Sequence, residues 1–246
     1  MHNEFLKAVI DANKEIYTKI KDSFDSSWYN ELNIGAGGDV SLAIDIFAER
    51  VFIEHLQKFG SIDSEECGKI GKGDFDIIID PIDGSSNFAS NFPYYGSSVA
   101  LKKENVVEVA VVCNFANGDI FYKIKKEPLM FGNIIEGNFV EEQSVKSPKI
   151  ALFEKAYDNS LVVKKLASKG LKFRAPGATA LSLAYAHRVK FVLFIGDIRE
   201  YDIAAGLAFC SDLKVSISKD YVIVTKEIEL LNMIESIINE VKDESR

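Results

Sequence analysis

Histidine, cysteine and tryptophan are scarce in this chain of 246 residues, with three, three and one respectively. Cys67, Cys113 and Cys210 form no Cys-x-x-Cys pair, so neither a disulfide framework nor a cysteine zinc site is expected, and a reducing, cytoplasmic setting is. His2, His55 and His187 lack metal-ligand spacing, and His187 is expected near the end of a helix, where a cation suits the dipole. No stretch approaches the roughly 18 apolar residues of a membrane span. The opening MHNEFLKAVIDANKEI, with acids among its apolar residues, does not read as a secretory signal. No Gly-x-Ser-x-Gly elbow and no glycine-rich loop closing in Gly-Lys-Ser/Thr occur, which argues against serine hydrolases of that type and P-loop enzymes. Positive charge is also short: 29 Lys and Arg face 37 Asp and Glu, a net charge of −8. A nucleic acid or an anionic membrane is therefore not an expected partner. A small anionic substrate is still compatible, because bound cations can reverse the sign inside one cleft.

What is present is ordinary for a globular protein, with 47% hydrophobic and 27% charged residues. Phe5, Val9, Ala12, Ile16 and Ile20 recur every three or four residues, which predicts an amphipathic helix. GAGGD at 35–39 reads as a flexible loop, followed by a second helix with Ile44, Phe47, Val51, Leu56 and Phe59 facing inward. FDIII at 75–79 predicts a short buried strand that runs into a turn at Asp80-Pro81. SSVALKK, VVEVAVVCN and DIFYKI, separated by Lys-Glu-Asn and Asn-Gly, predict an antiparallel meander. The polar stretch 136–149 is expected to separate an α+β half, residues 1–145, from an α/β half, residues 146–246. In the second half, apolar runs at 150–153, 171–173, 189–195, 213–217 and 221–225 alternate with helical patterns near 159–169, 177–187, 202–211 and 227–241, which predicts a largely parallel or mixed sheet.

The densest chemistry lies in IIIDPIDGSSNF, residues 77–88. Asp80 and Asp83 follow a buried strand with Pro81 stiffening the turn between them, so two carboxylates and the Ile82 carbonyl can share a hard divalent cation. Gly84, Ser85, Ser86 and Asn87 suit the start of a helix, whose amides would hold an anion beside that cation. Cation ligands and phosphate-binding amides in one turn are what phosphoryl transfer needs. Other acids are weaker signals taken singly. Glu65 and Glu66 read as a solvated loop, Asp202 in YDIAAG as a helix N-cap, and Asp45, between LAI and IF, as an exposed residue. The small residues of YDIAAG let a helix approach another backbone closely.

In motif order, Asp39 to Glu49, Ser64-Glu65-Glu66, DPIDGSSNF and YDIAAG, the chain resembles the inositol monophosphatase / fructose-1,6-bisphosphatase superfamily over nearly its whole length. The resemblance implies a layered αβαβα fold and Mg²⁺-dependent hydrolysis of a small sugar or cyclitol phosphate, with Mn²⁺ as a substitute. It implies that Glu65, Asp80 and the Ile82 carbonyl hold one Mg²⁺, that Asp80, Asp83 and Asp202 hold a second, and that Glu65 shares a third, with Glu66 nearby. Asp45 with the Ser85 hydroxyl would activate the attacking water, and Gly84, Ser85 and Ser86 would hold the phosphate. It further implies lithium sensitivity and a homodimer. Leu42 stands where the inositol-phosphatase branch usually carries threonine, and DGSSNF where it carries DGTTNF. DGSSNF and IDIFAERVFIEHL resemble fructose-bisphosphatases, whereas YDIAAG resembles the inositol side. An inositol-1-monophosphatase-like activity leads and fructose-1,6-bisphosphatase is the alternative; a non-catalytic, protein-binding role on the same fold is the rival from another class. Arg174 and Arg199 are the candidate partners of a second phosphate, against a strand-end role for Arg174 and a local bridge to Asp197 for Arg199.

Overall fold

The computed structural model describes residues 1–22 and 25–244. Helix α1 (His2–Asp22) buries Phe5, Val9, Ala12 and Ile16, the predicted stripe. Strands β1 (Glu31–Ile34) and β2 (Val40–Leu42) form an antiparallel hairpin. Residues 35–39 are its loop, and they are not free: the Ala36 and Gly37 amides donate to the carbonyls of Glu66 and Glu65. Helix α2 (Ala43–Leu56) follows, then β3 (Ser61–Ser64), β4 (Gly68–Ile70) and β5 (Asp76–Asp83). The strand predicted to end at Ile79 continues to Asp83. Its register against the next strand shifts between Asp80 and Asp83, and Pro81, with no N–H to give a ladder, falls at that irregularity. The one-turn helix α3 (Ser85–Ala89) leads to the meander β6 (Gly96–Lys103), β7 (Val106–Asn114) and β8 (Asp119–Ile124). Two further strands, β9 (Met130–Asn133) and β10 (Phe139–Glu141), extend it, so part of the polar stretch is edge strand. The eight-stranded sheet runs β10-β9-β8-β7-β6-β5-β3-β4, antiparallel except for the parallel pair β3 and β5.

The second sheet is built from β11 (Ala151–Glu154), β12 (Phe173–Arg174), β13 (Phe191–Ile195), β14 (Lys214–Ile217) and β15 (Tyr221–Thr225), in the order β12-β11-β13-β15-β14. Only β11 makes parallel pairs, with β12 and β13, so the sheet is mixed. Its helices are α4 (Ser160–Ser168), α5 (Thr179–Ala184), α6 (Glu200–Phe209) and α7 (Ile228–Glu244). The helix predicted over 177–187 breaks into α5 and a 3₁₀ turn, Ala186–Arg188. His187 in that turn is buried with Nε2 3.1 Å from Asp212, rather than capping an exposed helix end.

Burial periodicity fixes the layers. One face of the large sheet packs on α1 and α2, through Ile77, Ile79, Val99 and Val111 against Phe5, Val9, Ile44 and Phe52. Its other face, with Ile78, Ala100, Ala110 and Phe121, packs on Leu181, Ala184, Ala205 and Phe209 of α5 and α6. The opposite sides of those helices, through Leu183 and Leu207, meet Val192, Phe194, Val222 and Val224 of the small sheet, whose outer face is covered by α4 and α7. The result is an αβαβα sandwich. YDIAAG comes close to a neighbour at Gly206, inside α6 and against a side chain rather than a backbone: a Cβ there would lie 2.5 Å from Cβ of Leu183. No helix among the described residues is long and apolar enough to cross a membrane.

Candidate active site

A cleft of about 580 Å³ opens where β5, the β1–β2 loop and the starts of α2, α3, α5 and α6 converge. Asp45, Glu65, Glu66, Asp80, Ile82, Asp83, Gly84, Ser85, Ser86, Arg199 and Asp202 all line it. Arg174 does not. It lies exposed on edge strand β12, with its guanidinium donating to the carbonyl of Phe173.

Asp80 comes from the irregular end of β5 and is 2% exposed. Its Oδ1 is buried with no hydrogen-bond partner among the described residues, a cost that native structures rarely leave uncompensated. Glu65 directly follows β3, and its amide donates to the Ile79 carbonyl, which holds it beside β5. Asp202 is not an N-cap but the third residue of α6, buried at 6% exposure. One carboxylate oxygen from each of Glu65, Asp80 and Asp202 lies within 4.8 Å of the other two. An all-oxygen donor set with an orphaned carboxylate oxygen fits a hard divalent cation such as Mg²⁺ or Mn²⁺. Burial raises the Asp80 carboxyl well above its ordinary range, and the charges of Glu65, Asp83 and Asp202 add to it. Glu65 is pushed up to about 7 by burial, against the pull of Arg199. Burial also raises Asp202, and the Arg199 hydrogen bonds oppose that rise.

Asp83 lies beside this triad and its charge acts on Asp80, but its carboxylate oxygens are also engaged by backbone. Its Oδ1 and Oδ2 accept the Thr179 and Leu181 amides, each at 2.9 Å, so it fastens the start of α5. Asp45, expected on a solvated face, is 1% exposed. As the third residue of α2 it turns back to accept the Leu42 amide at 2.6 Å, and its other oxygen lies 3.0 Å from Ser85 Oγ. Burial lifts Asp45 to about 7, with the Glu66 charge adding to it. Ser85 Oγ also lies 3.0 Å from the Ile82 carbonyl. Glu66 is part-buried and held by the Ser41 hydroxyl rather than solvated. Gly84 has φ +92°, and a Cβ there would sit 3.0 Å from the Tyr94 carbonyl and 3.2 Å from Ala178 Cβ. Only glycine meets both demands. Asn87 fastens α3 across the cleft, donating to the carbonyls of Tyr94 and Pro176 at 2.7 Å.

Arg199 makes no bridge to Asp197. Its partners are Asp202, Asp39 and Glu65. Burial opposes the Arg199 charge, but Asp202 and Glu65 outweigh it and hold the guanidinium protonated. Glu154 and Lys155 also line the cleft and were not singled out from the sequence. Glu154 is buried, accepts the Gly177 amide at 2.9 Å and takes the Ser182 hydroxyl. Lys155 adopts φ +55° and places its Nζ 5.2 Å from the Phe194 ring centre. The signal available was position, since both close an apolar run at the end of a strand facing the cleft.

Comparison with known proteins agrees with this architecture. An inositol monophosphatase from Thermotoga maritima shares the fold, with a TM-score of 0.78 at 24% identity, covering 97% of this chain and 98% of its own. A fructose-1,6-bisphosphatase/inositol-1-monophosphatase of Thermococcus kodakarensis is 28% identical over 84% of this chain and 80% of its own length. A bifunctional NADP phosphatase/NAD kinase of Methanococcus maripaludis is 30% identical over 82% of this chain, which spans only 41% of that longer protein. The inositol monophosphatase family model matches residues 1–212, a span that takes in the whole eight-stranded sheet, β11, β12 and β13 of the small sheet, the DPIDGSSNF turn and Asp202. The chain belongs to the inositol monophosphatase family.

Proposed function

We propose that this chain hydrolyses a small sugar or cyclitol phosphate monoester with the help of Mg²⁺, inositol 1-phosphate being the preferred class and fructose 1,6-bisphosphate the alternative. The observation that carries this reading is the unpartnered, buried Asp80 Oδ1 beside Glu65 and Asp202. A purely protein-binding role leaves that oxygen without a purpose. Glu65, Asp80 and Asp202 would hold the cation, which when bound neutralises phosphate charge and polarises the attacking water. Asp45 takes the proton of that water. Its elevation to about 7 keeps it near the working pH, where a general base is most effective. The Ser85 hydroxyl, 3.0 Å from Asp45 Oδ1, orients the water and passes its proton on. The amides of Gly84 and Ser85 and the Ser86 hydroxyl receive the phosphate, and the left-handed Gly84 brings that backbone close. Asp83 acts through α5, whose first amides it holds.

The state of the two arginines supports a monophosphate. Arg174 lies off the cleft and Arg199 is committed to three carboxylates. Lys155 is the cleft cation that keeps the bisphosphate reading alive. The test is phosphate release from inositol 1-phosphate, fructose 1,6-bisphosphate and NADP in Mg²⁺, with EDTA and Asp45→Asn as controls. Release that needs Mg²⁺ and fails in Asp45→Asn is expected, with inositol 1-phosphate fastest. No release from any of the three by metal-loaded protein would sink the reading. Sedimentation of the same protein tests the homodimer that the family resemblance implies.

A further inference from the structure

The most heavily engaged cation in the cleft is Arg199, and its ion-pair partners include two of the three acids of the oxygen triad. Nε lies 2.9 Å from Asp202 Oδ2 and Nη2 3.2 Å from Oδ1, a two-pronged grip. Nη1 lies 2.6 Å from Asp39 Oδ2 and 2.8 Å from Glu65 Oε1, and reaches the Gly37 carbonyl at 3.5 Å. The three acids come from the β1–β2 loop, the end of β3 and the first turn of α6. A guanidinium has five N–H donors, and these contacts leave little of it for a phosphate.

We propose that Arg199 is the resident counter-ion of the acidic cluster, a fixed positive charge that stabilises the metal-free protein more than the metal-bound one and so sets the cation affinity below what the carboxylates alone would give. The inference rests on the metal-dependent reading above. Without a cation, Glu65, Asp80 and Asp202 repel one another in a poorly hydrated place, and one guanidinium held against two of them relieves part of that repulsion. When a divalent cation draws on the same oxygens, the guanidinium sits beside another positive charge, and its attraction to the carboxylates is partly offset. By linkage, whatever Arg199 contributes to the empty site beyond the filled one is subtracted from metal binding. An opposite charge in contact changes the cation affinity of a carboxylate by about ten- to a thousand-fold, judged from protons. Arg199 is 30% exposed, so the low end applies, and its loss should tighten binding by about tenfold.

The experiment compares wild type with Arg199→Met, which keeps the bulk and removes the charge, and Arg199→Lys, which keeps the charge and loses the fork. Mn²⁺ alone is titrated without substrate, free Mn²⁺ being read by electron paramagnetic resonance. Thermal unfolding is run in EDTA and in saturating Mn²⁺. Arg199→Met should unfold earlier than wild type in EDTA, close that gap in Mn²⁺ and bind Mn²⁺ about tenfold tighter, with Arg199→Lys between. Unchanged or weaker Mn²⁺ binding by Arg199→Met would overturn the proposal. If Arg199→Met folds only with Mn²⁺, that supports the proposal. If it folds in neither condition, Arg199→Lys decides, and Mn²⁺ binding no tighter than wild type overturns it. A wild type that binds no Mn²⁺ would instead remove the metal-dependent reading and this inference with it.

Discussion

Replacing Asp45 by Asn isolates the charge of the proposed base from its shape. The asparagine oxygen can accept the Leu42 amide, as Asp45 Oδ2 does at 2.6 Å. Its amide nitrogen can then donate to Ser85 Oγ, which turns its own proton to the Ile82 carbonyl at 3.0 Å. Both contacts survive, so what remains is the burial of a negative charge. Folding lifts Asp45 from 3.8 to about 7, and each tenfold in proton affinity is worth about 1.4 kcal/mol. The sign follows from proton binding: the folded state holds the Asp45 proton more tightly than the unfolded chain, so stability falls as pH rises between those two values. The contribution flattens above the folded value, where the charged form costs about 4 kcal/mol relative to the protonated one. At about pH 5 roughly 2 kcal/mol of that cost is already present, so Asp45→Asn should gain roughly 2–3 kcal/mol more at about pH 8 than at about pH 5. Urea denaturation in EDTA at the two pH values measures this difference. A gain that is the same at both would refute the argument, because a change in packing alone carries no pH dependence. In Mg²⁺ the same variant should lose activity by about 10²–10⁴ in kcat with KM little changed, as for loss of a general base.

Two other substitutions probe the frame. Gly84→Ala meets both a left-handed backbone and the Tyr94 carbonyl at 3.0 Å, so it should destabilise by about 1–3 kcal/mol in urea and raise KM by disturbing the phosphate turn; unaltered stability would mean that the turn is not constrained as described. Arg174→Met, on an exposed edge strand away from the cleft, should leave kcat and KM for both phosphate esters unchanged, and a selective loss with fructose 1,6-bisphosphate would restore Arg174 to the substrate site.

Local patterns were legible in the sequence where one segment carried the whole signal. The α1 stripe and the meander follow from periodicity alone, and DPIDGSSNF packs strand end, acids, turn and helix start into one run. Asp45 misled because an acid in an apolar helix suggests an exposed face, whereas here the helix start supplies its hydrogen bond internally. Arg199 misled for the opposite reason: its sequence neighbour Asp197 suggested a local bridge, while one true partner, Asp39, lies 160 positions away and only the fold brings it near. The middle layer did carry a readable trace. Helix α6 is apolar on nearly every side, with Ile203, Ala204, Ala205, Leu207, Ala208 and Phe209, and a helix with no polar face belongs between two layers. Glu154 and Lys155 close the apolar run of β11, a position that marks a strand end but not which of several strand ends faces the cleft.

The acids of the cleft divide by how the fold supports them, and that division has a consequence. Asp45 and Asp202 are each the third residue of a helix, and Asp83 receives the first amides of another. Helix N-termini carry partial positive charge, so these three are partly neutralised by backbone. Asp80 near the end of β5 has no such support: among the described residues its Oδ1 has no donor. The two aspartates flanking Pro81 and Ile82 should therefore respond differently to the same change. Asp80→Asn removes an uncompensated charge and breaks no hydrogen bond at Oδ1. Asp83→Asn also removes a charge, but it sets an amide donor against the N–H of Thr179 or Leu181, where Asp83 offers an acceptor to each at 2.9 Å. An unsatisfied buried donor costs about 1–3 kcal/mol. In EDTA, Asp83→Asn should thus be less stable than Asp80→Asn by about that amount, although the two remove the same formal charge three residues apart. Mn²⁺ titration should show the reverse order of damage, with Asp80→Asn losing most of its binding because it deletes a member of the oxygen triad. If Asp83→Asn proves at least as stable as Asp80→Asn, or keeps less Mn²⁺ affinity, then Asp83 is a cation ligand first and an anchor of α5 second, and the division argued from the hydrogen bonds is wrong.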